Sequence, residues 1–165
     1  HTNNRYASFP IVTKQRLEIE LQASDDGATF RPYGFWYKPG RLSRPPAWAG
    51  VHMPRLDWQM WFAALAGDCR RVPWWPLLAR SLLQASPPVL ELLESDPNHG
   101  HKPRFLRAIL YDYRFTEPST RRSSDAPGRA LTAEEVGTWW TRRAVAVFCP
   151  TLSLTDSELV FVDGD

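Results

Sequence analysis

Hydrophobic and polar residues alternate along the first third of the chain in a pattern that predicts β-structure. Between residues 16 and 22, Leu17, Ile19 and Leu21 occupy every second position and charged or polar residues fill the others. Such alternation is typical of a half-buried antiparallel strand. The turn Ser24-Asp25-Asp26-Gly27 predicts a hairpin with a return strand at residues 29–37. Residues 5–13 are predicted to form an edge strand, because Pro10 has no N–H for a ladder.

A proline-rich loop follows at residues 38–54 and contains Trp48 and His52. Three helices are predicted after it. The first covers residues 56–65, begins at Pro54, stops at Gly67 and is apolar nearly all round, which favours a buried helix. The second starts at Pro73 and the third at Ser86, ending before Pro97. The second carries four leucines, Leu77, Leu78, Leu82 and Leu83, and the third is expected to have Val89, Leu92 and Leu93 inward.

The C-terminal third predicts a strand, a loop, a helix and a short strand. Residues 104–115 are apolar on both faces in their first half, which indicates a central strand covered by helices. A capping box at residues 132–135 predicts a last helix ending at Pro150, and residues 159–162 a short strand. The helical period rests on six apolar positions: Val136, Trp139, Trp140, Ala144, Val147 and Phe148.

These elements predict one α+β domain over residues 1–165. Its core is a mostly antiparallel sheet, or a sandwich-like pair of sheets, covered by a helical layer inserted between the strands. The formal charge of +2 does not indicate a nucleic-acid partner. No apolar run is long enough for a membrane helix, and the start at His1 without a signal peptide indicates a piece of a longer protein.

Few residues offer chemistry. The chain lacks Gly-x-Ser-x-Gly and Cys-x-x-Cys, and Cys69 and Cys149 leave it open whether they pair. His99 and His101 are interpreted as solvated loop residues, so no metal and no cofactor are expected. Asp57 lies in the apolar helix, five residues after His52. It is either the acid of a hydrolase that uses His52 or, as we favour, a structural carboxylate bonded to Arg55 or a loop amide.

Tryptophan is unusually frequent, with eight residues. Trp58, Trp61 and Trp140 are expected in the core, whereas of Trp74 and Trp75 one can remain exposed, since neighbours on a helix point about 100° apart. Exposed rings together with the Asp-Gly turn leave a β-rich ligand- or glycan-binding module open as an alternative.

The run Pro-Arg-Leu-Asp-Trp-Gln-Met-Trp-Phe-Ala-Ala-Leu at residues 54–65 resembles the signature of the C-terminal domain of the lipase maturation factor family. It includes six signature residues expected to be structural: Arg55, Leu56, Asp57, Trp58, Trp61 and Phe62. The resemblance continues in family order through Asn4 and Tyr6, Tyr37-Lys38-Pro39-Gly40, Pro73-Trp74, Leu110 to Phe115, Trp139-Trp140 and Pro150-x-Leu152-Ser153-Leu154. The chain departs from the family pattern at residues 98–101 and in the long loop at residues 119–129.

The resemblance implies a non-enzymatic, chaperone-like role in the endoplasmic reticulum membrane, with this domain on the lumenal side and the membrane-spanning part missing from the chain. The implied partners are dimeric secreted lipases similar to lipoprotein lipase, and no catalytic residue is implied. A surface that holds such a client needs exposed rings with a polar rim. The expected contact residues are Trp48, Trp74 and Trp75, with Arg70 and Arg71 as the rim.

Overall fold

The structure is a computed structural model that describes residues 15–48, 53–116 and 138–162. The predicted strand at residues 5–13, the capping box at residues 132–135 and His52 lie outside the described residues.

The described strands form one antiparallel sheet. In chain order they are β1 (Arg16–Ser24), β2 (Arg31–Pro32), β3 (Phe105–Phe115), β4 (Trp140–Thr155) and β5 (Glu158–Phe161), and the spatial order is β2-β1-β3-β4-β5. The long β3 pairs with β1 on one side and with β4 on the other, which confirms its predicted central place. The C-terminal strand at residues 159–162 is confirmed as β5.

The helices form a layer between β2 and β3 in the chain. They are α1 (Arg55–Ala66), α2 (Trp75–Leu83) and α3 (Pro87–Leu90), with a 3₁₀ turn, Cys69–Arg71, between α1 and α2. As predicted, α1 begins directly after Pro54 and ends at Gly67, whose φ of 74° is a left-handed helix stop that suits glycine.

The core lies between this layer and one face of the sheet. Ile19 and Leu21 of β1 and Leu106 and Leu110 of β3 share that face, because paired residues point to the same side. Met60, Ala63, Ala64, Leu78, Leu82 and Phe148 complete the same buried cluster. The α+β prediction is confirmed in its single-sheet form.

The predicted last helix is wrong after residue 139, because Trp140–Thr155 is a strand. Its register with β3 shifts in three places, and each shift adds a residue to β4: Val145, Phe148, and one between Cys149 and Leu152. Such bulges interrupt the alternation of apolar residues and leave a spacing that resembles a helical period. Pro150 lies at the third shift, where a strand can dispense with a ladder N–H.

Two other elements are shorter than predicted. The return strand at residues 29–37 contracts to Arg31–Pro32 and a single bridge between Gly34 and Ser95. Proline at residue 32 has no N–H to extend the ladder, and a Cβ on Gly34 would come within 2.3 Å of the Ser95 hydroxyl, so the approach of the two segments requires glycine. The third helix ends at Leu90; Leu93 is buried as predicted, whereas Leu92 is exposed.

Helix α1 is not buried on all sides. Asp57, Met60, Ala63 and Ala64 face the core, but Trp58, Phe62 and Leu65 are each more than 40% exposed. The apolar residues around the helix therefore belong to two faces, of which one packs on β1 and the other points away from the core.

Candidate functional site

Strand β1 is buried on both faces, whereas the alternation predicted a half-buried strand. Its charged face carries Glu18, Glu20 and Gln22, each at most 9% exposed. Glu18 pairs with Lys38, whose Nζ lies 3.8 Å from Oε2, and Glu20 pairs with Arg142 of β4. Gln22 accepts a hydrogen bond from Arg107 at 2.7 Å. Buried charges require such partners, so the loop that supplies Lys38 must lie over this face.

The charged face also binds the proline-rich loop through Tyr113. Its hydroxyl donates to the Gly40 carbonyl at 3.0 Å, and Arg142 donates to the same hydroxyl at 3.0 Å. Burial raises the pKa of Tyr113 to about 12. Burial alone would lower the pKa of Arg142, but its hydrogen bonds to Tyr113 and Glu20 raise it above the ordinary value. Both groups therefore keep their protons through the physiological range.

A second set of bonds holds the far part of the loop. Arg44 donates to the Phe35 carbonyl at 2.7 Å and pairs with Glu94 at 2.5 Å. The Trp140 indole donates to the Arg44 carbonyl at 2.9 Å. Trp48, at the end of this loop, is 90% exposed. The loop is thus held by partners on the sheet and near α3 rather than by its own rings, and it presents Trp48 to solvent.

Lys38 is the most deeply placed cation of this face. Burial lowers the pKa of its ammonium, while Glu18, Glu20 and Asp57 oppose the shift. Its Nζ also donates to the Pro39 carbonyl at 3.3 Å and lies 4.7 Å from the centre of the Phe35 ring.

This lowered pKa predicts a pH dependence of stability. With a folded-state pKa below the unfolded value near 10.5, the unfolded chain binds more protons between the two values, so the free energy of unfolding rises with pH in that window. The difference in unfolding free energy between the wild type and Lys38→Met is therefore expected to shift in favour of the wild type as pH increases towards 10.5. Urea titrations of both proteins at several pH values measure it, and a difference independent of pH would contradict the prediction.

Asp57 joins this loop to α1. It is 0% exposed, and its Oδ1 accepts hydrogen bonds from the backbone N–H groups of Tyr37 at 2.8 Å and Lys38 at 3.2 Å. The expected loop-amide contact is therefore present, and in the described residues no bond to Arg55 accompanies it. The carboxylate holds the loop at the start of α1, close to the positive end of the helix dipole.

The burial of Asp57 argues against the hydrolase interpretation. A catalytic acid or base must reach a substrate proton directly or through one water, whereas this carboxylate is sealed from solvent and already engaged by two amides. Its proposed partner His52 lies outside the described residues.

The other signature residues lie on the two faces of α1. Leu56 packs against the core and Arg55 is exposed. Trp58, Trp61 and Phe62 form a ring cluster, with centroids 5.0 to 5.5 Å apart. The expectation that Trp58 belongs to the core is wrong, since the ring is 42% exposed, whereas Trp140 is buried as expected. The signature thus specifies a loop anchor, a core face and an aromatic outer face.

Trp74 and Trp75 differ in burial, as the sequence allowed for neighbours on a helix. Trp75 is 2% exposed and packs edge-on against Phe148, with centroids 4.8 Å apart, so it is not available for a partner. Trp74 is half-buried and packs against the core. Arg70 and Arg71 are exposed nearby in the 3₁₀ turn.

A disulfide fixes that turn to the sheet. Cys69 and Cys149 are bonded, with Cα atoms 5.3 Å apart and a sequence separation of 80. Both are buried, and the bond joins the helical layer to β4. The question that the sequence left open is answered by this pairing.

The expected contact residues do not form one surface. Trp48 belongs to the loop over the charged face of the sheet, whereas Trp74, Arg70 and Arg71 lie with the helical layer on the opposite face. Any single partner that contacts Trp48 and Trp74 together would have to reach around the sheet.

Other candidate groups are engaged in local structure. Asp26 accepts hydrogen bonds from the backbone N–H groups of Ala28 and Thr29 and from the Ser24 hydroxyl; these bonds, that of Thr29 first, lower the pKa of its carboxyl. His99 and His101 are exposed. Among the described residues no group of three potential ligands could hold a metal ion.

The family of the chain follows from comparison with known proteins. The profile of the lipase maturation factor C-terminal domain matches residues 2–150, which includes every described element up to the middle of β4. The chain belongs to this family. It is 41% identical over 162 residues to human "Lipase maturation factor 2", 39% identical over 159 residues to that of Xenopus tropicalis, and 34% identical over 170 residues to human "Lipase maturation factor 1".

The chain corresponds to only part of these lipase maturation factors. The matches cover 94%, 93% and 99% of the chain but 21%, 21% and 28% of the relatives. No solved structure matches the chain. Within the described residues of this lipase maturation factor domain, no helix is long and apolar enough to cross a membrane.

Sequence reasoning missed the charged face. The signal was present, since the alternation of β1 places Glu18, Glu20 and Gln22 together on one face of the strand. The local sequence could not show that their partners, Lys38 and Arg142, come from distant segments of the chain.

Proposed function

We propose that this domain assists the folding and assembly of dimeric secreted lipases in the endoplasmic reticulum by binding the client without catalysing a reaction. The name of the family and of its relatives supports a role in lipase maturation. The binding role is supported by Trp48, the one large ring among the described residues that is almost wholly in solvent.

Trp48 is suited to client contact because the part of the loop that precedes it is held on the sheet. Arg44, Trp140 and Tyr113 hold the loop on the sheet, so binding a partner at Trp48 costs little additional loop entropy. Tryptophan is enriched among the residues that dominate the binding energy of protein interfaces. Trp74, half-buried on the other face with Arg70 and Arg71 beside it, is a second and smaller candidate.

The disulfide supports the lumenal side of the endoplasmic reticulum membrane as the location. Disulfides form and persist in oxidising compartments and are rare in the cytosol. A buried bond that ties the helical layer to the sheet is a structural disulfide rather than an exposed reactive one. The attachment to the membrane would come from parts of the full-length protein outside this chain.

The test of client contact is Trp48→Ala in the full-length protein. Loss of the ring is expected to leave the melting temperature unchanged, since the side chain is 90% exposed, and to lower secreted lipase activity about tenfold, as for loss of an interface centre. Activity of a co-expressed dimeric lipase and thermal melting of the variant are measured together.

Leu77→Ala is the matched control, because Leu77 is also strongly exposed, at 68%, but lies on α2 away from the loop. It should change neither melting nor lipase activity. Lipase activity that Trp48→Ala leaves unchanged would contradict the contact, and so would an equal loss of activity in Leu77→Ala.

A further inference from the structure

Strand β4 has an outer edge that is paired over only part of its length. The strand runs from Trp140 to Thr155, and β5 pairs with residues 152–155, extended by the hydrogen bond from Val162 to the Thr151 carbonyl. At the other end the Trp140 N–H bonds to the Leu42 carbonyl of the loop. Between them, residues 141–147 have no strand on their outer side in the described part of the chain.

The middle of this edge carries neither a charge nor a proline. Natural edge strands carry charges, prolines or bulges that discourage pairing with another chain. Residues 144–147 are Ala-Val-Ala-Val, with no charge and no proline, and Val145 and Val147 are 48% and 59% exposed. The bulge at Val145 turns the strand locally, so an added partner would be short.

Arginines flank the apolar stretch at both ends. At one end Arg143 is exposed, and Arg114 of β3, opposite Thr141, has a side chain that is 69% exposed. At the other end the disulfide places the 3₁₀ turn beside Cys149; Arg71 of this turn is exposed, whereas Arg70 pairs with Asp68 at 3.7 Å and lies 5.3 Å from the centre of the Phe161 ring of β5. The anion near the first end, Asp112, is buried beneath Arg114. The electrostatic field along the edge therefore favours a partner with acidic ends.

We propose that the outer edge of β4, at residues 141–147, adds an extended segment of a partly folded client to the sheet as a further strand, and that this segment is apolar in its middle and acidic at its ends. The inference rests on the client binding proposed above and names the chemistry that is recognised. Main-chain hydrogen bonds give such an interaction its affinity, and the alternate side chains give it selectivity. A client already folded into complete sheets has no such segment to offer, so the edge selects unfolded portions.

The experiment uses the 165-residue chain and a short fluorescent peptide of alternating valine and threonine with a glutamate at each end. Fluorescence anisotropy is expected to show saturable binding. Val147→Lys should weaken it about tenfold, because a lysine on an edge opposes strand addition. Val160→Lys is the matched control: it places the same charge on exposed β5 of the same sheet and should leave binding within about twofold.

A charge reversal keeps the test valid if Val147→Lys fails to fold. Arg143→Glu should weaken binding of the glutamate-ended peptide and strengthen binding of the same peptide ended by lysines. Equal binding of the two peptides to the wild type, or binding that neither substitution alters, would overturn the proposal.

The remaining outcomes identify other occupants and also overturn it. If the chain sediments as a dimer, Val147→Lys dissociates the dimer and no peptide binds, then the edge binds a second copy of the chain instead. If the peptide binds only after removal of residues 1–14, then that segment of the chain itself occupies the edge. The peptide experiment contains no lipase, so the absence of peptide binding would overturn the strand-addition proposal without affecting the Trp48 experiment. If Trp48→Ala leaves lipase activity unchanged, the peptide experiment still tests the edge of β4 independently.

Discussion

Replacing Cys69 and Cys149 together by alanine is expected to lower the free energy of unfolding by about 4 kcal/mol, the largest effect predicted for this domain. The reason is the length of the closed loop, since the two cysteines have a sequence separation of 80. Without the bond, the unfolded chain gains the conformational freedom of that loop. For a domain of this size the melting temperature should fall by about 10 °C.

Thermal melting with and without reductant measures this effect. Reductant should lower the melting temperature of the wild type towards that of the double variant and leave the double variant unchanged. Thiol labelling of the unfolded protein establishes that the bond was reduced. A fully reduced wild type that melts at the temperature of the oxidised protein would contradict the prediction.

The second large effect is expected from Asp57→Ala, which should lower the free energy of unfolding by about 3 kcal/mol because it leaves one buried and one partly buried N–H group without an acceptor. These are the amides of Tyr37 and Lys38, which the carboxylate joins to the start of α1. Asp57→Asn is the matched control, since it retains an oxygen for both amides while it removes the charge, and it should cost less. Urea unfolding of the three proteins measures the order.

Substitutions of Asp57 also distinguish a structural role of this residue from a catalytic one. In the full-length protein, the loss of lipase maturation in Asp57→Ala should follow the loss of folded protein and should be partly restored in Asp57→Asn. A folded Asp57→Ala variant with no maturation activity would contradict the structural role and restore the active-site interpretation.

The pattern of hydrophobic residues was sufficient to predict those elements in which its period is uninterrupted. β1 and β3 keep their alternation along their whole length, and α1 carries both of its end signals, Pro54 and Gly67. Each of these elements buries its core-facing side, so the sequence predicted their type and, for β3, the central position in the sheet, although it predicted neither the burial of the charged face of β1 nor the exposed outer face of α1.

The candidate site was predictable only in part. The signature run identified α1 and singled out Asp57, and the proline-rich loop was recognised with Trp48 inside it. The charged partners Lys38 and Arg142 were not, because they come from distant segments and have no local signal. Trp74 and Trp75 illustrate this limit of sequence-based prediction. Their adjacency predicted that one ring could remain exposed, but only the packing against Phe148 decided that Trp75 is the buried one.

By itself, then, the sequence determined the class of fold, the central strand, the start and stop of α1 and the family to which the chain belongs. The tertiary structure decided that residues 140–155 form a strand, because a central β3 needs a partner on its second side and bulges in β4 hide the alternation. It also decided the pairing of Cys69 with Cys149 and the burial of Glu18 and Glu20. Both depend on contacts between residues far apart in the chain, which no local period records.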